Sequence, residues 1–340
     1  MAKATEGRLQ EIKQAAAEGR LSADGRSSAA GGQAAHRQTS GAGSYYGLPV
    51  LKRPVWTWEV PLYFFIGGVS GISACMAFAA QLFQKDPALQ RMLLWMALAG
   101  GIICPVLLIA DLGRPSRFLN MLRVFKPQSP MSLGAWIVSA SGAGAFLAVA
   151  GNELILHGLA TEPIISLKWV GLSLGAIAGL LLASYTAVLI GATAIPVWSH
   201  NRTLLPAHFL ISGLGGSAAI LELLGFLIPV TQFLGFCASG LETLLGFIFE
   251  VRRSPVNAPL HHGKVSILFR IAGVLDGPLA LVIRIAFGGN QGGRWTAAIC
   301  FLVGALLSRY AWILAGRVSA DDPEGLFRVQ RDQNPQLSEG

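Results

Sequence analysis

An aspartate and several arginines follow directly after a long apolar segment, in the stretch ADLGRPSRFLNMLRVFKP at residues 110–127. Asp111 lies at the end of the apolar segment, and Arg114 follows it three residues later. A carboxylate can exchange a proton with a bound ligand, while a guanidinium orients that ligand or offsets the charge of the carboxylate. The alternative interpretation is an ordinary helix end, at which charged side chains reach out to water. The rest of the chain has to decide between the two.

The composition is that of an integral membrane protein. Of the 340 residues, 53% are apolar and only 13% are charged, whereas about a quarter of the residues in a soluble domain are charged. Apolar runs of roughly 18 or more residues are typical of transmembrane helices. The water-soluble classes are therefore excluded. The net charge of +8 indicates cationic loops at a membrane surface, where the chain contacts the lipid bilayer, and not nucleic-acid binding.

Eight apolar segments are long enough to cross a bilayer, and all must be helical because backbone groups find no water in its core. The predicted spans are residues 60–83, 92–110, 133–150, 169–190, 207–228, 230–249, 265–287 and 295–316. The stretch FFIGGVSGISA at residues 64–74 is similar to FLISGLGGSAA at residues 209–219. The predicted fold is therefore an all-α integral membrane protein with two four-helix bundles related as parallel repeats.

Both similar stretches contain small residues that would let helix backbones approach closely. These are Gly67, Gly71, Gly213 and Gly216.

Five segments follow one another along the chain. They are a charged N-terminal segment with a composition typical of disorder (residues 1–44), an interfacial aromatic segment (45–59), a first bundle (60–200), a second bundle (201–317) and a polar C-terminal tail (318–340). With eight spans, both termini lie on one side, and most Lys and Arg residues outside the spans fall on that side. The positive-inside rule then predicts cytoplasmic termini.

Polar and aromatic residues collect at one predicted membrane face of the first bundle. Glu59 and Asp111 end the first two spans on the same side, and Tyr63 lies one helical turn from Glu59. Three further candidates belong to this face: Ser132, Trp136 and Tyr185. Hydrogen-bond donors, aromatic walls and a proton carrier are what a quinone headgroup requires.

Two acidic residues lie deeper, in the second bundle. Ionisable groups inside a bilayer are costly and usually functional, so Glu222 and Glu242 are candidates for a proton relay. They could equally form a structural pair with one proton held between them. The seventh span carries Arg270, Asp276 and Arg284, and we expect it to face the bundle interior.

Ligands for a redox cofactor are absent from the sequence pattern. The four cysteines are scattered without a CxxC pair, which argues against an iron–sulfur cluster or another metal site. Only His208 among the histidines lies at a predicted span, so we expect no haem.

Three stretches resemble the NrfD/PsrC family, the membrane subunits of polysulfide-reductase-like complexes. They are WTWEVPLYFFIGGVSGISA, ADLGRPSRFLNMLRVFKPQSPMSLGAW and SYTAVLIGATAIPVWS, and the resemblance covers about residues 45–316. It implies two four-helix bundles and a site for quinone or quinol, with menaquinone expected. It also implies two partners, a ferredoxin-like four-cluster iron–sulfur subunit and a molybdopterin-type catalytic subunit.

The resemblance also ranks the candidate site residues. It implies that Asp111 and Arg114 are catalytic and that Glu59 and Tyr63 bind the quinone, followed by Ser132, Trp136 and Tyr185. It further implies that the iron–sulfur subunit docks on the face of the DLGRP motif. In several complexes of the family that subunit is outside the cytoplasm, whereas the charge pattern places this face inside.

The predicted function is that of a multi-pass subunit of the inner (plasma) membrane, exchanging electrons and protons between the quinone pool and an iron–sulfur partner. One alternative is a secondary transporter or proton-conducting protein that uses Glu222, Glu242 and Asp276. Transporters often show broken helices and inverted repeats, and the sequence pattern shows neither. Another alternative is a non-catalytic membrane anchor.

Overall fold

The computed structural model describes residues 51, 54–111, 116–252 and 254–322, with the backbone alone at residues 116–119. Within these ranges the chain forms helices and turns and no strand, which confirms the all-α prediction. Several predicted features lie outside the described residues. They are the N-terminal segment 1–44, most of the aromatic segment 45–59, Arg114 and the greater part of the tail 318–340.

Eight described helices are long and apolar enough to cross a membrane, which confirms the predicted spans in number and order. They are α1 (Glu59–Leu82), α2 (Pro87–Asp111), α3 (Pro130–Leu156), α4 (Glu162–Gly191), α5 (Leu204–Leu223), α6 (Pro229–Val251), α7 (Gly263–Phe287) and α8 (Gln291–Ala320). Short helices lie in the connections, at Ser116–Arg123, Pro196–His200, Pro255–Asn257 and Ala258–His261.

Several spanning helices continue beyond their predicted ends. Helix α4 begins at Glu162 and α8 ends at Ala320, because a helix can extend through the interfacial region, where polar side chains are tolerated. Helix α5 is shorter than predicted and ends at Leu223. Gly225 follows with a φ of 94°, a left-handed conformation that glycine adopts without strain and that turns the chain toward α6.

Successive spans alternate in direction, so the end of α2 lies on the same side as the starts of α1 and α3. This side of the molecule is called the Asp111 face below. The short helix Pro196–His200 joins α4 to α5 on this face.

Helix α7 is interrupted in its middle, whereas the sequence pattern indicates a continuous span. Its two parts, Gly263–Val274 and Ala280–Phe287, are separated by a π-helical turn at Leu275–Leu279. Gly277 has the non-helical angles φ −96° and ψ −106°, and Pro278 has no N–H with which to continue the hydrogen-bond ladder. The prediction of no broken helix is therefore wrong, and the sequence Asp-Gly-Pro at residues 276–278 was the available signal.

The spanning helices pack in two sets. Helices α1 to α4 contact one another, with extensive α1–α4 and α3–α4 interfaces, and helices α5 to α8 contact one another around α8. Helix α1 also contacts α5 and α8, and α4 contacts α5. The division of the chain into two bundles at residue 200 stays a prediction, as does their relation as repeats.

Equivalent positions of the two similar sequence stretches lie against each other where α1 meets α5. The Phe64 and Phe209 ring centres are 6.0 Å apart. A Cβ atom built on Gly213 would lie 2.9 Å from the carbonyl oxygen of Gly68. Contact between equivalent residues is the pattern expected at a two-fold axis.

Glycine also permits the close approach of α1 to α4. A Cβ atom on Gly71 would lie 2.1 Å from the carbonyl oxygen of Gly179, and the reverse distance is 2.5 Å. The obstructing atoms belong to the backbone of the neighbouring helix, so they cannot rotate away as a side chain could. The predicted close-packing role of Gly71 is thereby confirmed.

We expect Gly71→Ala to destabilise the folded protein by about 1–3 kcal/mol or more, since the added methyl group forces α1 and α4 apart. The measurement is the thermal unfolding temperature of the purified chain in detergent. Gly240→Ala is the matched control, because nothing lies within 4 Å of a Cβ atom built on Gly240 inside α6. Equal stability of Gly71→Ala and the control would contradict the importance of this helix contact.

Candidate functional site

A cavity of about 240 Å³ lies at the Asp111 face, among helices α1 to α4. Most of its wall is apolar, with the polar groups confined to one carboxyl and the phenols. Its lining residues are Trp56, Val60, Tyr63, Phe64, Leu108, Asp111, Met121, Met131, Gly134, Ala135, Tyr185 and Leu189. The structure therefore brings together Asp111, Tyr63 and Tyr185 from three different helices. All three are predicted candidates for one site.

Two carboxyl groups meet beside this cavity. Asp111 is the last residue of α2 and Glu59 the first of α1, and antiparallel packing brings these helix ends together. The Asp111 carboxyl lies near Thr57 and close enough to Glu59 for their charges to interact. The Thr57 hydroxyl in turn donates to a carboxylate oxygen of Glu59. Asp111 lines the cavity and Glu59 lies behind it, so protons could pass between them at the edge of the site.

Two buried phenols supply hydrogen-bonding groups inside the cavity. Tyr63 is 3% exposed and Tyr185 is 7% exposed. The Tyr185 hydroxyl has no hydrogen-bond partner among the described residues. It lies against the α3 backbone at Gly134, where an added Cβ atom would be 2.8 Å from the phenol oxygen. An unpaired buried hydroxyl costs free energy, and a ligand with an acceptor oxygen would remove that cost.

Trp56 forms an aromatic part of the cavity wall, whereas the sequence pattern predicts only that it belongs to the interfacial aromatic segment. Its ring stacks on Trp198, with 5.5 Å between ring centres and 16° between planes. The Trp198 indole N–H donates to the carbonyl oxygen of Trp312 at 2.8 Å, and the Arg317 guanidinium donates to the carbonyl oxygen of Trp56. No local sequence signal identifies Trp56 as a lining residue, because its position depends on contacts from α8.

Besides Glu59, two predicted site residues lie outside the cavity wall. The Ser132 hydroxyl donates to the carbonyl oxygen of Val124 at 3.3 Å and accepts from the Lys126 N–H at 3.1 Å, so it holds the preceding loop. Trp136 is 40% exposed and packs edge-on against Phe125. The structure therefore places neither residue in the lining of the cavity.

Comparison with known proteins identifies the family. Residues 42–320 match the family model described as polysulfide reductase, of the NrfD type. The chain belongs to the NrfD polysulfide reductase family. No curated protein matches the sequence. Membership confirms the predicted resemblance, and with the eight apolar helices it identifies a multi-pass membrane protein that works within a multi-subunit complex.

In this NrfD-family chain, the two acids predicted as a relay have separate partners. Glu222 forms ion pairs with Arg284 and Arg294, at 2.9 Å and 2.7 Å. Glu242 instead contacts the Nδ1 atom of His208 at 2.7 Å. The alternative that Glu222 and Glu242 share one proton is therefore wrong, since each carboxyl is held by a different set of side chains.

The Glu222 ion pairs close the second set of helices at the face opposite Asp111. Arg294 also donates to the carbonyl oxygen of Leu227 at 2.7 Å and to Thr231 at 2.9 Å. The Arg284 guanidinium lies over Gly235, where a Cβ atom would be 2.4 Å from its Cζ atom. These contacts join α5, α6, α7 and α8.

The prediction that α7 turns its charged residues inward holds for two of the three. Asp276 and Arg284 are 1% and 3% exposed. Arg270 has an exposed side chain and pairs with Glu250 at 3.2 Å, so it lies at the outer surface of the bundle.

We expect Glu222→Gln to destabilise this NrfD-family protein by about 3–5 kcal/mol, because the buried guanidinium groups of Arg284 and Arg294 would lose the carboxylate with which they pair. The measurement is again thermal unfolding in detergent. Glu153→Gln is the control, since Glu153 pairs with the exposed Arg91 and should change stability little. A wild-type unfolding temperature for Glu222→Gln would show that the ion pairs do not hold the helices together.

Proposed function

We propose that this chain is the membrane subunit of a quinone-linked oxidoreductase and that it binds the quinone ring in the cavity at the Asp111 face. The observation that carries the proposal is the unpartnered Tyr185 hydroxyl in a cavity that is otherwise apolar and bordered by Asp111. A quinone ring offers two acceptor oxygens on a flat apolar body, which is the complement of this wall.

The size of the cavity supports a ring as its occupant. An enclosed apolar cavity of about 150 Å³ is enough to bind benzene, so 240 Å³ leaves room for a fused two-ring headgroup such as that of menaquinone. Met131 lines the cavity and is 55% exposed. Its position gives an isoprenoid tail a way out toward the surrounding lipid.

Each polar residue then has a role that its position supports. Tyr185 and Tyr63 donate hydrogen bonds to the carbonyl oxygens, while Trp56 and Phe64 pack against the ring. Asp111 holds or releases the proton exchanged at a ring oxygen, and Glu59 passes it to water. Arg114, which lies outside the described residues, completes the proposal as the cation that orients the ligand or offsets the Asp111 charge.

Bound quinone supplies the redox chemistry, and the proposed partners supply the remaining electron path. A ferredoxin-like four-cluster iron–sulfur subunit would dock on the Asp111 face, close to the cavity, and pass electrons to or from a molybdopterin-type catalytic subunit. Family membership supports a complex of this kind. We place the protein in the inner (plasma) membrane with cytoplasmic termini, which the distribution of Lys and Arg supports.

The first test is quenching of tryptophan fluorescence by a water-soluble menaquinol analogue in the purified full chain. Trp56 at the cavity wall and Trp198, which stacks on it, are the nearest reporters. We expect saturable quenching in the wild type and a dissociation constant about tenfold higher or more in Asp111→Asn, because the hydrogen bond that a quinol hydroxyl donates to the charged Asp111 carboxylate contributes about 1.5–3 kcal/mol.

Asp86→Asn is the matched control for this measurement. Asp86 lies beyond the opposite end of the same helix, where its carboxylate accepts from the Ala88 N–H at 3.0 Å, and asparagine can make the same contact. Saturable quenching that is equal in both variants would place the site elsewhere in the chain. Wild-type protein without saturable quenching would favour an anchor or a transporter.

The second test concerns the unpartnered phenol. We expect Tyr185→Phe to weaken binding of the analogue by roughly two- to tenfold, the range of a neutral hydrogen bond of about 0.5–1.5 kcal/mol. Tyr310→Phe is the control, because the Tyr310 hydroxyl donates to the Trp58 carbonyl oxygen at 3.1 Å outside the cavity. Unchanged affinity in Tyr185→Phe would show that its hydroxyl does not contact the ligand.

A further inference from the structure

Four ionisable side chains lie buried together in the second set of helices, one from each helix. They are His208 of α5, Glu242 of α6, Asp276 of α7 and Arg309 of α8, and each is at most 5% exposed. These four residues are called the buried ionic cluster below. Ionisable residues inside a membrane bundle are expensive, so four in one place require a physical explanation.

The members of the cluster are within reach of one another. His208 and Glu242 are joined by the 2.7 Å contact between Nδ1 and Oε2. Asp276 interacts through its charge with Glu242, His208 and Arg309. Arg309 donates to the Ser212 hydroxyl and to the carbonyl oxygen of Phe209.

The break in α7 is what places Asp276 in this cluster. Gly277 lies against α6, where a Cβ atom would be 3.1 Å from the Cα atom of Thr243, the residue next to Glu242. On the other side, a Cβ atom on Gly304 of α8 would be 2.5 Å from the Asp276 backbone nitrogen. The irregular turn is thus enclosed between two helices, which is where non-helical backbone is tolerated in a membrane protein.

Several polar atoms of the cluster have no hydrogen-bond partner among the described residues. They are His208 Nε2, Glu242 Oε1, Asp276 Oδ2, Arg309 Nε and Arg309 Nη1. Unpartnered buried atoms leave places for a bound proton or water. Glu222 Oε2 and two Arg284 nitrogens also lack a hydrogen-bond partner, so it is the charge balance, together with these atoms, that distinguishes the cluster from the Glu222 ion pairs.

The charges of the cluster do not balance when both acids are ionised. Two carboxylates, one guanidinium and a neutral imidazole leave one uncompensated negative charge in a buried place, which is strongly unfavourable. One bound proton removes the imbalance. A metal cation would have to approach the Arg309 guanidinium, whose charge repels it, so the proton is the favoured occupant.

The cluster lies one aromatic layer behind the proposed quinone cavity. Phe64 lines the cavity and contacts Phe209, with 6.0 Å between ring centres. The Arg309 Cζ atom is 3.6 Å from the centre of the Phe209 ring. A change of charge in the cavity would therefore change the electrostatic potential at the cluster, because the path between them is short and apolar.

We propose that the buried ionic cluster is a proton-binding site that holds one exchangeable proton among His208, Glu242 and Asp276. Glu222 is not a member, since two arginines already compensate its charge. The inference deepens the proposed function and rests on it for the proton's use in quinone turnover. The binding of the proton itself does not require quinone.

The test is infrared difference spectroscopy of the full chain in lipid nanodiscs between two pH values. We expect a carbonyl-stretch band of a protonated carboxylic acid that changes with pH and shifts in heavy water. Glu242→Gln and Asp276→Asn should each remove this band and still fold, because the remaining carboxylate balances Arg309 without a proton. Glu153→Gln, at the exposed pair with Arg91, should keep the band.

A second measurement, the unfolding temperature of the double variant, tests the charge argument. Glu242→Gln combined with Asp276→Asn leaves Arg309 without a compensating carboxylate in the cluster, so we expect it to unfold at a clearly lower temperature than either single variant. Single variants as unstable as the double variant would show a structural ion network and overturn the proposal. So would absence of the band from the wild type, or its retention in both single variants.

The same preparations separate this inference from the proposed function. A wild type with the carboxyl band but without saturable quenching by the menaquinol analogue keeps the proton site and removes the quinone site. A wild type with saturable quenching but without the band keeps the quinone site and removes the proton site. Loss of the band in one single variant alone assigns the proton to that carboxyl group.

Discussion

Close backbone packing of α1 against α4 and α5 is the contact on which the rest of this structure depends. Apolar side chains are as stable against lipid as against another helix, so the hydrophobic effect does not drive helices together in a bilayer. They associate through tight packing and polar contacts. Gly71 opposite Gly179 and Gly68 opposite Gly213 provide the tight packing here. Helix α1 carries Tyr63 and Phe64, and its position therefore determines where the cavity lies.

The two sets of helices treat buried polar groups differently. In the first set, polar groups sit at the edge of the bilayer, where Asp111 and Glu59 border an apolar cavity. In the second set, charged groups lie deep between the helices. The Glu222 carboxylate forms ion pairs with two arginines, Arg284 and Arg294, whereas in the cluster of His208, Glu242, Asp276 and Arg309 two carboxyl groups lie near one guanidinium. The Glu222 ion pairs stabilise the fold, and the buried ionic cluster leaves room for a change of protonation.

Aromatic contacts connect the two sets of helices around the cavity. Trp56 stacks on Trp198, and the Trp198 indole N–H donates a hydrogen bond to the carbonyl oxygen of Trp312 in α8. The Trp198 ring also lies close against α8 at Gly316, where an added Cβ atom would be 2.0 Å from it. Phe64 and Phe209 make a second link, between α1 and α5. The site therefore needs both halves of the chain, although its hydrogen-bonding groups come from the first half.

The sequence by itself determined the class of protein, the eight spans and their order, because hydropathy is a property of each segment alone. The DLGRP motif also identified Asp111, since an acid at the end of an apolar run is visible without a structure. The break at Gly277 could have been read from the Asp-Gly-Pro sequence. Hydropathy alone indicates one continuous span there.

Only the tertiary structure decided which polar residues act together. Glu222 and Glu242 look alike in the sequence, yet one is bound by two arginines and the other by His208. Trp56 enters the cavity wall, whereas Ser132 holds a loop and Trp136 faces outward. The physical reason is that partners depend on how each helix is rotated and on which helix lies next to it. In a bilayer, that is set by glycine contacts between distant parts of the chain.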